Sequence, residues 1–215
     1  MITIYGEGRG FRVIWLLEEM GLPYQLVDID LLKGVEHCPE FLAINPAGFI
    51  PAMVDGDVRM VESVAIMQYL LAAYAPTPLA VLPSDPTYPR FLQFLLMGET
   101  AISSSMFYEG NYRRLVPEGD RSSRWEGFMR YQFESRVDLI RRQVEQTPYL
   151  AGDRFTAADV SVVYALDNAR RTAGITHEGA LGDYIARCLD RDGYRRTMEA
   201  CPAIRGWEEG LKAKG

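Results

Sequence analysis

A small α/β domain followed by an all-α domain is the fold class this sequence predicts. Residues 1–74 alternate strand-like and helix-like segments. The stretch Ala75–Arg90 then gathers Pro76, Pro78, Pro83, Pro86 and Pro89, out of 12 prolines in the chain. Beyond it the apolar residues recur with helical spacing and almost no strand signal is left. These observations divide the chain into an N-terminal domain at 1–76, a stiff proline-rich linker at 77–89 and a helical domain at 90–215.

Ile2–Tyr5 reads as a short buried strand. A glycine-rich loop follows, then a helix over Phe11–Met20 with Val13, Ile14, Leu16 and Leu17 on its apolar side and Glu18-Glu19 exposed; Gly21 is placed to cap it. Tyr24–Ile29 reads as a second strand, with one helical turn around Glu40–Ile44 further on. Phe49–Val54 and Val58–Val61 flank Asp55-Gly56, a strong hairpin turn signal. Ser63–Tyr74 closes the domain as a helix. In the second domain, helices are predicted at Arg90–Leu115, Arg121–Gln146, Ala157–Arg171, Leu181–Asp190 and near Ile204–Lys212. Thr156-Ala-Ala-Asp159 has the spacing of a capping box before an apolar run, a folding feature.

Composition excludes several classes of function. The net charge is −6 and the basic residues form no long run, which argues against nucleic acid as a partner. Arg136 with Arg141-Arg142 reads as a solvated helix face. Three cysteines (Cys38, Cys188 and Cys201) without a CxxC, and only two histidines, predict reduced thiols, a cytoplasmic setting and no metal. No signal segment is visible, and no apolar run reaches the roughly 20 residues needed to cross a bilayer.

Pro51 raises a question of its own. Inside a predicted strand it removes a ladder donor. Either that strand is an edge or the Ile50–Pro51 bond is cis, which would turn the Ile50 N–H and C=O outward to pair with a bound peptide. Glu62-Ser63 begins the next helix, where free N–H groups and the helix dipole favour an anion; Ser63 alternatively is a plain N-cap.

"NPAGFIPAM", "DGD", "VESVAIMQYL", "RVIWLLEEMGLPYQ" and, in the second domain, "YLAGDRFTAADVSV" together resemble the cytosolic glutathione transferases in order and spacing, over nearly the whole chain. That resemblance implies a thioredoxin-like N-terminal domain, an all-helical C-terminal domain and a homodimer. It also implies that glutathione is the co-substrate. Ile50 and Pro51 would hold it in strand-like fashion, Ser63 and Glu62 its γ-glutamyl end, and His37 its glycine carboxylate, with Lys33 as a fallback donor. Two positions depart from the family pattern: Glu36, where a basic residue is usual, and Phe49, which lines the same site where a polar side chain is usual.

The activator of the thiol is the third departure. A free thiol has a pKa of about 8.5, and lowering it by ~2 units needs roughly 2.7 kcal/mol. The family keeps Ser, Tyr or Cys in the loop after the first strand, but here the position falls on Gly8, or on Glu7 with one spacing variant. Three substitutes are available: the phenol of Tyr5, which alternatively ends the strand as a core residue; the charge of Arg9, alternatively a solvated loop arginine; and an anion nest of the Gly8, Arg9 and Gly10 N–H groups.

The electrophile is expected against the first helix of the second domain, at Met106, Tyr108, Asn111 and Tyr112, with Phe11 on the facing wall. This lining suits a small hydrophobic compound. Conjugation of glutathione is therefore the leading expectation. The alternatives are a glutathione-dependent lyase, isomerase or etherase, and a non-catalytic binding or interaction protein on the same fold.

Overall fold

The computed structural model describes residues 1–29, 34 and 38–212. These form two compact units, residues 1–80 together with 189–215, and residues 81–188.

The first unit is built on a four-stranded sheet in the order β2-β1-β3-β4: β1 (Ile2–Tyr5), β2 (Tyr24–Val27), β3 (Ala52–Asp55) and β4 (Val58–Val61). β1 runs parallel to β2 and antiparallel to β3, with Tyr5 level with Val27 on one side and Ala52 on the other. The Asp55-Gly56 turn joins β3 to β4 as an antiparallel hairpin. Alternation along β1 sends Ile2 and Ile4, both fully buried, to the main core of the unit. There α1 (Gly10–Met20) contributes Val13, Ile14, Leu16 and Leu17, and α3 (Ser63–Ala73) contributes Ile66, Met67 and Leu70. Each such side chain supplies about 1.5–3 kcal/mol of hydrophobic stabilisation. Another cluster holds Ile29, Phe41 and Ala52, with Tyr5, Val27, Ile44 and Ile50 around them. Phe41 comes from the short helix α2 (Pro39–Ile44).

Gly21 ends α1 in the left-handed conformation, φ 65°, as its position predicts. The two acidic residues before it are not exposed in the way the sequence suggests. Glu18 accepts from Tyr24 Oη at 2.7 Å and from Arg196 Nε at 2.7 Å, and Glu19 is held by Arg191. Both arginines flank or lie on α9 (Asp192–Ala200), a helix for which the sequence reading had no expectation. Its sequence DGYRRTMEA is mostly polar and opens with a glycine inside the first turn. Gly193 and Thr197 are nevertheless buried, and Tyr194 meets Trp15 edge-on, ring centroids 5.0 Å apart. The helix rests on a narrow face made of Gly193 and Thr197 with Tyr194 beside them. α10 (Pro202–Lys212) follows in the same unit.

Strand two stops at Val27, short of the expected Ile29. The strand expected from Phe49 likewise starts only at Ala52.

The second unit comprises α4 (Tyr88–Met97), a π-helical stretch at Gly98–Ser103, α5 (Ser104–Leu115), α6 (Ser123–Val144), α7 (Ala157–Ala173) and α8 (Gly179–Leu189). α7 is its central helix, buried continuously from Ala157 to Asp167. Gly98 lies so close to Ser161 that a Cβ there would fall on the Ser161 carbonyl oxygen, and Ser161 Oγ donates to Leu95 O at 2.7 Å. This crossing falls where the predicted single helix over Arg90–Leu115 turns π-helical. The capping box forms as its spacing predicts. Asp159 also accepts from Leu150 N at 2.9 Å and Tyr184 Oη at 2.9 Å. Burial pushes its carboxyl up, opposed by those donors.

Candidate functional site

Chain reversal at residues 45–51 builds the centre of the site. Asn45, 3% exposed, donates from Nδ2 to Phe49 O at 2.6 Å and accepts from Ala47 N at 3.1 Å. The Ile50–Pro51 peptide bond is cis, and so is Ala75–Pro76. Pro51 lies just outside the ladder, and β3 is flanked by β1 and β4, so the edge-strand reading does not describe it. Asn45 belongs to the motif but its organising role was not foreseen.

The glycine-rich loop closes on this corner. Gly6 has φ 83° and faces the Ile50 side chain so closely that any Cβ would collide with it. Gly8, φ 55° and exposed, would bring a Cβ within 3.5 Å of Ile50 Cδ1. A Cβ on Gly10 would stand 3.3 Å from Pro51 Cβ. The loop and the Ile50-Pro51 pair therefore form one surface at the N-terminus of α1. Gly10 N–H donates to Glu7 O at 2.8 Å and Phe11 N–H to Gly8 O at 3.1 Å. The expected nest thus loses Gly10, whose donor closes the turn. The Gly8 N–H makes no hydrogen bond among the described residues.

Arg9 is the half-buried N-cap of α1, with φ −66°. Tyr5 sits against Phe41, ring centroids 6.2 Å apart, within the smaller apolar cluster. Packing alone accounts for its burial.

Glu62, at φ 67°, is the non-glycine residue with left-handed backbone among the described residues, and it is the N-cap of α3. Such a conformation costs about 1–3 kcal/mol and clusters at functional sites. Ser63 is consequently the first helical residue and not the cap. It is 2% exposed, and its hydroxyl has no hydrogen bond among the described residues. Ser63 and the two residues after it present the first-turn N–H groups that a helix cannot satisfy internally. Ile66 N–H is the first to be taken, by Glu62 O at 2.9 Å. Lys33, Glu36 and His37 lie outside the described residues; Cys38, half-buried, precedes α2.

Of the side chains expected around an electrophile, Phe11 is 0% exposed and packs edge-on against Tyr194, ring centroids 5.6 Å apart. Met106 is 8% exposed. Asn111 Nδ2 donates back to Phe107 O at 2.9 Å, and its Oδ1 accepts from Arg114. The Tyr112 hydroxyl accepts the Ser122 N–H at 2.5 Å. Tyr108 of this set lines a groove within the second unit, of about 280 Å³, with Trp125, Phe128 and Met129. A larger cavity of about 640 Å³, not foreseen, is lined by Glu109, Arg113, Arg130, Glu134, Arg141 and His177.

Among the described residues no three His, Cys, Asp or Glu side chains group as a metal site, and no helix is long and apolar enough to cross a membrane.

These features define a thioredoxin-like domain joined to a helical domain. The family models for the glutathione S-transferase N-terminal domain and C-terminal domain match residues 2–72 and 125–210. Glutathione S-transferase 3 of Zea mays is 31% identical over 201 residues, covering 89% of this chain and 89% of that protein. A zeta-class glutathione S-transferase of Euphorbia esula is 47% identical over 85 residues, covering 40% of this chain and 37% of that protein. Among solved structures, glutathione S-transferase III in its apo form superposes with a TM-score of 0.74 at 29% identity, covering 94% of this chain and 97% of that one. The Phanerochaete chrysosporium transferase URE2P6, solved with oxidized glutathione, superposes with a TM-score of 0.78 at 24% identity, covering 94% and 97%. This chain belongs to the glutathione S-transferase family.

Proposed function

We propose that the protein binds glutathione at the corner formed by Gly8, Ile50, Pro51, Glu62 and Ser63 and conjugates its thiolate to a small hydrophobic electrophile. The observation that carries this reading is the Ser63 hydroxyl, buried, unbonded within the protein and set in the first turn of α3. Together with the first-turn N–H groups it suits the α-carboxylate of a γ-glutamyl group. Glu62 holds the adjoining ammonium. Ile50 pairs with the cysteinyl backbone, and Phe49 covers it. His37 remains the candidate for the glycine carboxylate. The thiol then falls over the loop, where the Gly8 N–H, the charge of Arg9 and the α1 N-terminus favour the thiolate; Tyr5 is the phenolic alternative. The family supports a cytoplasmic homodimer of this kind.

A second reading is favoured by Gly8 itself, which brings no hydroxyl to the thiol: a glutathione-dependent lyase, isomerase or etherase, or a binding protein without transfer chemistry. An ultraviolet difference titration of glutathione on the purified protein, followed by turnover with an activated aryl halide, separates these. A thiolate formed well below pH 8.5, and conjugate production, is the expected result. Binding with an unshifted thiol would leave the non-catalytic reading standing.

A further inference from the structure

Glu7 is the acidic residue of the glycine-rich loop and is 5% exposed, yet no part of the proposed glutathione contacts uses it. Its carboxylate reaches across the sheet unit to the start of α10, 196 and 197 positions away in sequence. Ala203 N–H donates to Oε1 at 3.1 Å and Ile204 N–H to Oε2 at 3.0 Å. Pro202 opens that helix and the residue before it is Cys201, a poor cap, so these two first-turn donors have no local partner. Glu7 fills the N-cap role from a distance, with one oxygen for each N–H and a full negative charge at the positive end of the dipole.

The same residue shapes the loop. Glu7 O accepts the Gly10 N–H at 2.8 Å, which closes the turn into α1. Its neighbours are Gly6, pressed against Ile50, and Gly8, which lies beside the Ile50 side chain and whose N–H makes no hydrogen bond among the described residues. Side chain and carbonyl of one residue thus fasten the loop at both ends, to α10 and to α1. We propose that Glu7 is a positioning residue for the thiol of glutathione: by latching the loop to the N-terminus of α10 it holds the Gly8 N–H where a thiolate is stabilised.

This inference rests on the proposed glutathione site and adds to it a role for the last helix. Glu7 touches no substrate atom; it acts through Gly8. Loss of the latch therefore affects the thiol and spares the γ-glutamyl contacts at Ser63, which stand on α3 and not on the loop. The experiment compares wild type, E7Q and E7A in three measurements: thiolate titration of bound glutathione, affinity for S-methylglutathione, and melting temperature. E7Q keeps the side chain's size and one acceptor oxygen, so it remains folded if E7A does not.

The expected result is a bound-thiol pKa raised by about one unit in E7Q, equivalent to a roughly tenfold loss of thiolate near neutrality. Affinity for S-methylglutathione should change less than about twofold. E7A, where folded, should show at least the same rise. A thiolate pKa unchanged in E7Q, and in E7A where it folds, against a wild type that forms thiolate normally, overturns the positioning role alone. Equal losses of thiol and S-methylglutathione binding overturn it too, because they mark general damage to the site. A wild type that binds no glutathione overturns the proposed function, and this inference with it.

Discussion

Arg191 and Glu19, 172 positions apart, form a two-point ion pair: Nε donates to Oε1 at 2.8 Å and Nη2 to Oε2 at 2.7 Å. The carboxylate is only 7% exposed and also receives the Trp15 indole N–H at 3.1 Å. It clamps the segment leading into α9 onto α1. Bidentate charge-assisted bonds at a shielded carboxylate are stronger than surface pairs. Arg191→Ala is expected to cost about 2 kcal/mol, read as a drop in denaturation midpoint without a change in slope.

In the second unit the tight crossing of Gly98 on Ser161 permits no side chain. Gly98→Ala drives a methyl into a backbone carbonyl, which cannot rotate away. A loss of about 2–3 kcal/mol is expected, the cost of overpacking a close contact. Gly110→Ala on α5, where a Cβ meets nothing within 4 Å, is the control and should be neutral or slightly stabilising.

His177 makes stability depend on pH. Burial, and then the nearby Arg141 charge, hold its pKa below the usual 6.5. The surrounding cavity also carries Arg113, Arg130, Glu109, Glu134 and Asp138. Nε2 is buried without a partner among the described residues. The folded state binds the proton less readily than the unfolded state, so the contribution is intact above pH 6.5 and is lost as pH falls below it. Denaturant titrations at pH 7.5 and pH 5 should show a smaller acid loss for His177→Gln than for wild type.

Ser63→Ala tests the carboxylate contact. The hydroxyl makes no bond within the described chain, so its removal should leave the melting temperature nearly unchanged. Glutathione affinity is expected to fall roughly tenfold, the worth of one hydrogen bond to a charged group. Calorimetric titration measures it; equal affinity in the variant would remove Ser63 from the site.

Arg9→Ala and Tyr5→Phe separate charge from phenol at the thiol. Arg9→Ala should raise the bound-thiol pKa by about one unit. Tyr5→Phe keeps the ring against Phe41 and should leave it unshifted. The reverse outcome would make Tyr5 the activator.

Much of this was legible locally. The helix over 11–20, its Gly21 stop, the Asp55-Gly56 hairpin and the Thr156–Asp159 capping box each depend on residues within one or two turns of each other. So do Ile50, Pro51 and Ser63, whose motif spacing specifies a reversal followed by a helix start. Chain-local chemistry determines features of this kind because the competing conformations differ in energy within a few residues.

The rest was settled by contacts between distant segments. α9 has a polar sequence and is stabilised by what it meets: Glu18, Glu19 and Trp15 on α1. Phe11, an apolar residue beside a candidate site, is buried on α1 with Tyr194 packed edge-on against it. Glu7 looks like a loop carboxylate until Ala203 and Ile204 are brought to it. By itself the sequence determined the order of elements in the N-terminal domain, the family and the motif that turns at Pro51. Only the tertiary structure decided which side chains are buried and which polar groups find partners, because burial and long-range hydrogen bonds are properties of a surface shared by segments nearly two hundred residues apart.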